Sequence, residues 1–203
     1  MSEESKAKYK ITSIPHPKYP WLHRIQALTS VNEQVETGDF GGYVESEENL
    51  SQEGGCWLHD ASISCEKAVV AHEACLFDGA MARGSALVSG DTNLFDRVVV
   101  EEHAILMSGE VKEDARVSGN AIVGKNVTQE LSPLIAGHSN VYGEVSGWFV
   151  IKDTILPGEK LDNPTPDMFL LENGERNVLV KHRDLKNPNH DDRQKQKSNR
   201  KER

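Results

Sequence analysis

Residues 117–128 have the sequence VSGNAI followed by VGKNVT, two six-residue units that each begin with valine and place a small or aliphatic residue fifth. Outward from this pair, an apolar residue recurs at similar spacing from Val44 to Val141. A short, fixed period sustained in this way indicates a repeat architecture. The members of this apolar series are Val44, Leu50, Trp57, Ile63, Val70, Leu76, Ala82, Val88, Leu94, Val100, Leu106, Val111, Val117, Val123, Ile135 and Val141.

The six-residue period favours β-strands over helices. Six is a multiple of the two-residue repeat of a strand, so the whole series falls on one face. Glycine, asparagine and aspartate between the apolar positions are typical of corners, and an antiparallel meander would space its turns less regularly, at ~8–12 residues. We therefore predict an all-β fold, a single-stranded parallel β-helix. The seven-residue steps Leu50–Trp57 and Ile63–Val70 and the five-residue step Leu106–Val111 are interpreted as corner bulges.

The chain is predicted to contain four segments. Residues 1–43 form an extended N-terminal segment and cap, and residues 44–145 form the solenoid. Residues 146–185 hold a β-hairpin, with Asn173-Gly174 as its turn, which caps the open end of the solenoid or forms a homodimer. Residues 186–203 contain no aliphatic side chain and are expected to be a disordered basic tail.

Acidic charge is concentrated in the solenoid. The 203-residue chain has a net charge of −9, and residues 39–150 alone hold six Lys and Arg against eighteen Asp and Glu. Such a surface repels phosphates, so direct nucleic-acid binding is expected only through the tail at 186–203. The three cysteines lack metal-finger spacing. Without an apolar span of ~20 residues or a signal-peptide core, we expect a cytoplasmic protein that does not contact membranes.

One set of acidic residues is predicted to line up on the surface. Asp78, Asp96 and Glu113 each stand four residues before a member of the apolar series, as does His59. One coil separates neighbours, and stacked strands lie ~4.8 Å apart, so the carboxylates repel unless a cation or a basic partner relieves them. We take these three carboxylates as candidate binding residues, which either dock a positively charged protein surface or mimic the phosphates of a nucleic acid.

His103 is the catalytic candidate in the sequence. An imidazole that acts as a general base needs a group to orient it, and His103 has two carboxylates directly before it, Glu101 and Glu102. The same two glutamates extend the candidate binding surface. No cofactor is predicted. A metal site is not predicted either, because histidines that converge on a metal from neighbouring coils would be separated by multiples of 18 residues. No such separation occurs among His59, His72, His103 and His138.

Residues 23–28 (HRIQAL), 38–51 (GDFGGYVESEENLS) and 54–57 (GGCW) are similar to an N-terminal motif of phage- and prophage-borne hexapeptide-repeat β-solenoid proteins. Members of this group are labelled polymer-forming cytoskeletal proteins or transferases. The resemblance covers about residues 22–145 and implies a capped, left-handed β-helix encoded by a mobile element. It supplies no catalytic residues.

Three functions are compatible with the sequence. The leading hypothesis is a non-enzymatic, phage-encoded protein whose acidic face binds a basic, nucleic-acid-binding host protein, as an anti-CRISPR inhibitor of a defence nuclease would. The first alternative is a hexapeptide-repeat acyltransferase, which would bind acetyl-coenzyme A. The second is a self-assembling, polymer-forming scaffold.

Overall fold

The structure, a computed structural model, describes residues 7–181. The predicted tail at 186–203 lies outside the described residues. One 3-10 turn spans Glu47–Asn49. In chain order the first strands are β1 Tyr9–Pro15, β2 His23–Ala27, β3 Phe40–Val44, β4 Trp57–Leu58, β5 Ile63–Ser64, β6 Val69–Val70, β7 Cys75–Leu76, β8 Met81–Ala82, β9 Leu87–Leu94 and β10 Val99–Val100. The later strands are β11 Ile105–Val111, β12 Arg116–Val117, β13 Ile122–Gly124, β14 Leu134–Ile135, β15 Asn140–Val141, β16 Glu144–Gly147, β17 Phe149–Ile151, β18 Thr154–Ile155, β19 Lys160–Asn163, β20 Met168–Glu172 and β21 Glu175–Val180.

The strands stack in parallel into a solenoid of about seven turns with three faces, which confirms the predicted fold class. The first face is formed by β3, β5, β8, β10, β12, β15 and β18. The second face contains β6, β13, β16 and β19, and the third contains β4, β7, β14, β17 and β20. The long strands β9 and β11 pass through a corner, so each contributes to both of these faces.

A thin core of aliphatic side chains, here called the inner file, fills the interior. Each coil contributes three inward positions, and those from Leu76 to Val123 are at most 1% exposed. Alanines two residues before many of them, such as Ala80 and Ala104, are also fully buried. Burying one aliphatic side chain stabilises the fold by roughly 1.5–3 kcal/mol. A thin core of this kind explains why a chain that is only 37% hydrophobic can fold.

The inner file of the first coils differs from the predicted series. Leu58 pairs with Leu76, and Ser64 pairs with Ala82, so Leu58 and Ser64 are the inward residues in place of Trp57 and Ile63. The two predicted seven-residue steps are therefore one eight-residue step from Leu50 to Leu58. Sequence reasoning chose the wrong residues because Trp57 and Ile63 are apolar for a different reason: the N-terminal strands cover them.

The N-terminal segment closes the first coil. Strand β1 pairs antiparallel with β2, which pairs antiparallel with β3. Tyr9 packs edge-on against Trp57, with ring centroids 6.3 Å apart, and Ile63 lies in a small separate cluster with Leu22 and Tyr43. Lys8 is 5% exposed and donates from Nζ to backbone carbonyls near Cys56. These contacts give the N-terminal end a polar and aromatic cover.

Parallel stacking continues past residue 145, where the six-residue series was expected to end. Val145 pairs with Leu161, and Val141 pairs with Ile155. Ile151 and Ile155 are fully buried. The six-residue series is not recognisable here in the sequence, because Val141 and Val145, and also Ile151 and Ile155, are only four residues apart. The shorter steps are tighter corners of the same solenoid.

The last strand pair forms the predicted hairpin. Strand β21 pairs antiparallel with β20, around the turn at Asn173 and Gly174. Strand β20 also belongs to the third face, where it pairs with β17. The hairpin is therefore a continuation of the last coil.

Candidate functional site

The corner between the third and the first face, here called the first corner, carries a column of acidic residues. Asp60, Asp78, Asp96 and Glu113 occupy equivalent positions in successive coils, all with positive φ between 52° and 66°. Each carboxylate accepts a hydrogen bond from the backbone N–H of the equivalent residue in the next coil. The distances are 3.3 Å to Asp78 N, 3.2 Å to Asp96 N and 2.8 Å to Glu113 N, and Glu113 in turn accepts from Gly137 N. We call these residues the corner ladder.

The corner ladder places Asp78, Asp96 and Glu113 in the predicted row, but their repulsion is relieved within the chain. The amide donors lower the cost of placing like charges one coil apart, since hydrogen bonds to an ionised carboxylate are about twice as strong as neutral ones. The row therefore does not by itself require a cation or a basic partner.

His59 does not belong to this column. Its ring stacks on Phe77 at 4.4 Å between centroids, and Phe77 stacks on Phe95 at 4.8 Å. The predicted position was one residue off because it was measured from Ile63 and not from Ser64. Asp60 takes the place in the corner ladder that His59 was expected to occupy.

Glu101 and Glu102 have structural partners at the next corner. Glu101 is 9% exposed and its carboxylate bridges Arg83 and Arg116. Arg83 donates from Nε to Glu101 Oε2 at 2.7 Å. Glu102 accepts from the backbone N–H of Gly119 at 2.6 Å. Both carboxylates are thus used to join neighbouring coils.

His103 is exposed and follows Glu102 at the same corner. Within residues 7–181 its imidazole has no hydrogen-bond or ion-pair partner, and the equivalent residues of the adjacent coils are Ser85 and Asn120. The predicted orientation of this ring by Glu101 or Glu102 is therefore absent from the described geometry.

A charged cluster lies beside the corner ladder, one residue further along each coil. Arg97 donates from Nε to Asp114 Oδ1 at 2.6 Å and from Nη2 to Asp114 Oδ2 at 2.8 Å. In the next coil, Nδ1 of His138 lies 3.6 Å from Asp114 Oδ2, an ion-pair contact just beyond hydrogen-bond range. The His138 side chain is 88% exposed. These three residues form a linear chain from a cation through a carboxylate to an accessible imidazole.

The cluster borders a surface cleft of about 560 Å³. Arg97, Asp114 and His138 line this cleft, together with the corner-ladder residues Asp78, Asp96 and Glu113. The hydrogen bonds from Arg97 lower the pKa of Asp114, with a smaller contribution from His138. Asp114 therefore stays ionised under ordinary conditions. An ionised carboxylate can orient the imidazole through Nδ1 and leave Nε2 for a substrate.

Sequence reasoning missed His138 because of the segment 125–133 between β13 and β14. This insertion separates His138 from Asp114 by 24 residues, which is not a multiple of 18. The position of each residue within the repeat would have revealed the cluster. Arg97, Asp114 and His138 each stand three residues before an inward valine of the first face. Counting from the valines would have aligned them despite the insertion.

Neither a group of metal ligands nor a membrane-spanning helix is found in residues 7–181. No group of three or more His, Cys, Asp or Glu side chains in this part of the chain is placed to hold a metal ion. Among the same residues, no helix is long and apolar enough to cross a membrane.

The fold and the cleft define a parallel β-solenoid with a histidine–carboxylate pair at one corner. No protein-family model matches the chain. Over 113 residues, or 56% of its length, the chain is 26% identical to an Escherichia coli K12 protein named "Uncharacterized acetyltransferase YdcK". The matched region is 31% of that protein, so the chain spans less than a third of this relative.

This similarity contradicts the expectation of a non-enzymatic protein, because the relative bears the name of an acetyltransferase. It favours the acyltransferase alternative over the interpretation as an inhibitor of a host nuclease. The comparison does not bear on a phage origin or on a protein partner, which remain predictions from the sequence.

Proposed function

We propose that the protein is an acyltransferase of the hexapeptide-repeat type, with His138 as its general base. The observation that carries the proposal is the chain from Arg97 through Asp114 to His138 at the edge of the cleft. The distant acetyltransferase relative supports the same class of reaction. The printed name of that relative also makes an acetyl thioester the first donor to test.

In the proposed reaction, a hydroxyl or amine acceptor enters the cleft beside His138. Nε2 of the imidazole takes the acceptor proton as the acceptor attacks the thioester carbonyl carbon. When the carbon–sulfur bond breaks, the imidazolium returns that proton to the leaving thiolate. Asp114 holds Nδ1 and stabilises the transient positive charge, and general base catalysis of this kind contributes typically 10²–10⁴-fold in rate.

Arg97 has a positioning role in this scheme. Its two hydrogen bonds fix the plane of the Asp114 carboxylate and keep that group ionised. A carboxylate held in this way keeps the imidazole in one tautomer. The contact of 3.6 Å between His138 and Asp114 needs to shorten by a few tenths of an ångström, as is common when a substrate closes an open site.

The test is an acyl-transfer assay on the full chain with acetyl-coenzyme A and a panel of small amines and alcohols. We expect release of free coenzyme A with at least one acceptor, and a fall in kcat of about 10²-fold or more in His138→Ala. Asp114→Asn should lower kcat about 10-fold or more, because the amide cannot balance the imidazolium charge. His103→Ala is the matched control, since it is an exposed corner histidine without a carboxylate partner, and its rate should equal that of the unaltered chain.

Two results would contradict the proposal. One is the absence both of coenzyme A release and of binding heat when acetyl-coenzyme A is titrated into the unaltered protein. The other is equal turnover in His138→Ala and His103→Ala, which would remove the general-base role from the cleft. Circular dichroism of each variant verifies that the solenoid is intact.

A further inference from the structure

The cleft beside His138 has a net negative charge. Its titratable and charged lining consists of Asp78, Asp96, Arg97, Glu113, Asp114 and His138. Arg97 makes both of its hydrogen bonds to Asp114, so these two opposite charges compensate each other. Within residues 7–181 the other three carboxylates have no ion-pair partner. They therefore present uncompensated negative charge to a molecule that enters the cleft.

Each of these three carboxylates keeps one oxygen available. Asp78 and Asp96 accept the backbone N–H of the next coil through Oδ2, and Glu113 accepts through Oε2. Within residues 7–181 no hydrogen bond engages their other carboxylate oxygens. The backbone amides relieve the repulsion along the corner ladder without neutralising it, and all three residues are exposed. The charge and the second oxygen of each group remain free for a ligand.

Glu113 is the ladder residue that adjoins the proposed base. Its Oε2 accepts from the backbone N–H of Gly137 at 2.5 Å, and Gly137 directly precedes His138. Asp96 lies one coil further away, and stacked strands are ~4.8 Å apart. A short linear molecule can therefore place one end beside the imidazole of His138 and the other end between Glu113 and Asp96.

Of the two substrates in the proposed reaction, only the acceptor suits this charge. The phosphates of coenzyme A are repelled by the ladder, whereas a cleft lined by negative groups raises the local concentration of a cationic substrate. We propose that the acceptor is an aliphatic diamine, an inference that rests on the acyltransferase function proposed above. One nitrogen is acylated beside His138, and the other, as an ammonium, binds Glu113 and Asp96. These two carboxylates are then the residues that determine acceptor specificity.

The distal ammonium takes no part in the chemical step. The nitrogen beside His138 attacks as the neutral amine and forms a bond to the thioester carbonyl carbon, while the carbon–sulfur bond breaks. Its proton passes to Nε2 of His138 and from there to the leaving thiolate, so the products are an N-acyl diamine and a free thiol. Because the distal ammonium is bound equally before and during the reaction, its contribution falls on KM and not on kcat.

The test compares diaminobutane with aminobutanol, in which a hydroxyl replaces the distal ammonium, as acceptors of the acetyl group on the full chain. We expect kcat/KM to be about tenfold higher for the diamine, and this advantage to shrink as salt is added. The double variant Glu113→Gln with Asp96→Asn should raise KM for the diamine about tenfold, since the amides keep the backbone hydrogen bonds and lose the charge. Asp60→Asn is the matched control. It makes the same change in the same column but outside the cleft lining, and should keep the advantage.

An NMR titration of diaminobutane without acetyl-coenzyme A separates this inference from the acyltransferase function. We expect binding to the unaltered chain and to Asp60→Asn, and about tenfold weaker binding to the double variant. Turnover with equal kcat/KM for the two acceptors would overturn the diamine as substrate and leave the acyltransferase function standing. If no acceptor is acylated, the acyltransferase function fails, and the titration still decides whether the cleft is a diamine site. Absence of diamine binding, or binding that the double variant does not weaken, would overturn the site itself.

Discussion

His59 lies at one end of the aromatic stack that it forms with Phe77 and Phe95. Unlike the two phenylalanines, it has ring nitrogens, and one of them is buried. Its ring lies nearly parallel to Phe77, with 7° between the planes, and its Nε2 is buried without a hydrogen-bond partner in the described part of the chain. Burial lowers the pKa of this imidazole. The protonated form of His59 is therefore disfavoured in the folded state. We expect this residue to make the stability of the first coils depend on pH.

Replacing His59 by phenylalanine is expected to stabilise the fold and flatten its acid dependence. The folded pKa lies below the unfolded value of about 6.5, so the unfolded state binds the proton first and stability is lost as pH falls through that value. His59→Phe keeps the stack and removes the unpartnered nitrogen, for a gain of about 1 kcal/mol at pH 8. Urea unfolding at pH 8 and pH 5 measures both effects. His103→Phe is the control, and an unchanged pH dependence in His59→Phe would contradict the assignment.

At the scale of an element, the corner ladder explains why carboxylates occupy positions with positive φ. A residue other than glycine is strained in this region, although aspartate and asparagine tolerate it better than most. In this protein each side chain offsets that strain by accepting a hydrogen bond from a backbone N–H of the next coil, which would otherwise be left to water at this exposed corner. The ladder thus contributes to stability whatever its part in binding.

Asp96, which lies inside the ladder, allows this explanation to be tested. Asp96→Ala should lower the free energy of unfolding by about 0.5–1.5 kcal/mol, because it removes the carboxylate that accepts from the exposed N–H of Glu113 and keeps a side chain at positive φ. Asp96→Asn should cost less, since its amide oxygen still accepts and asparagine tolerates this conformation. Chemical denaturation compares them, and equal losses in the two variants would show that net charge and not the hydrogen bond matters.

At the scale of the whole molecule, the solenoid is a stack in which each coil contacts its neighbours. All three cysteines lie in the first coils, buried and free. Burial raises the pKa of each thiol, to about 11 in Cys65, with a similar direction in Cys56 and Cys75. Protonated, buried thiols react slowly, so their modification reports opening of the N-terminal end.

Thiol labelling should therefore distinguish the two ends of the solenoid. Leu76→Ala removes a fully buried side chain from the early coils, and Ile155→Ala removes one from the last coils. Each is expected to cost about 2–5 kcal/mol locally. In a stack with nearest-neighbour contacts, Leu76→Ala should accelerate labelling far more than Ile155→Ala. Equal acceleration by both would mean that the molecule opens as a single unit.

The sequence was sufficient to predict the repeat, its strand character and the closing hairpin, because aliphatic residues occupy most inward positions at a fixed spacing. The prediction failed where a residue is apolar for another reason, or where the spacing between inward residues changes. Trp57 and Ile63 are apolar because the N-terminal strands cover them, and the four-residue corner before Ile155 hides the last coils. His138 was missed for a related reason, since an insertion changes its distance from Asp114 without changing its place in the coil.

Asp60, Asp78 and Asp96 each offer the next coil a carboxylate that accepts a backbone N–H at the same corner. A coil in this part of the solenoid can therefore be removed or added as a module. Excising residues 79–96 would join Asp78 directly to Arg97. The amide of Glu113 would then meet the carboxylate of Asp78, an aspartate in place of the aspartate removed. The charged cluster would be kept, since Arg97, Asp114 and His138 all lie beyond the cut, although the cleft would lose Gly79 and Asp96 from its lining. The solenoid could therefore be shortened by one coil of 18 residues while the candidate histidine–carboxylate pair is kept.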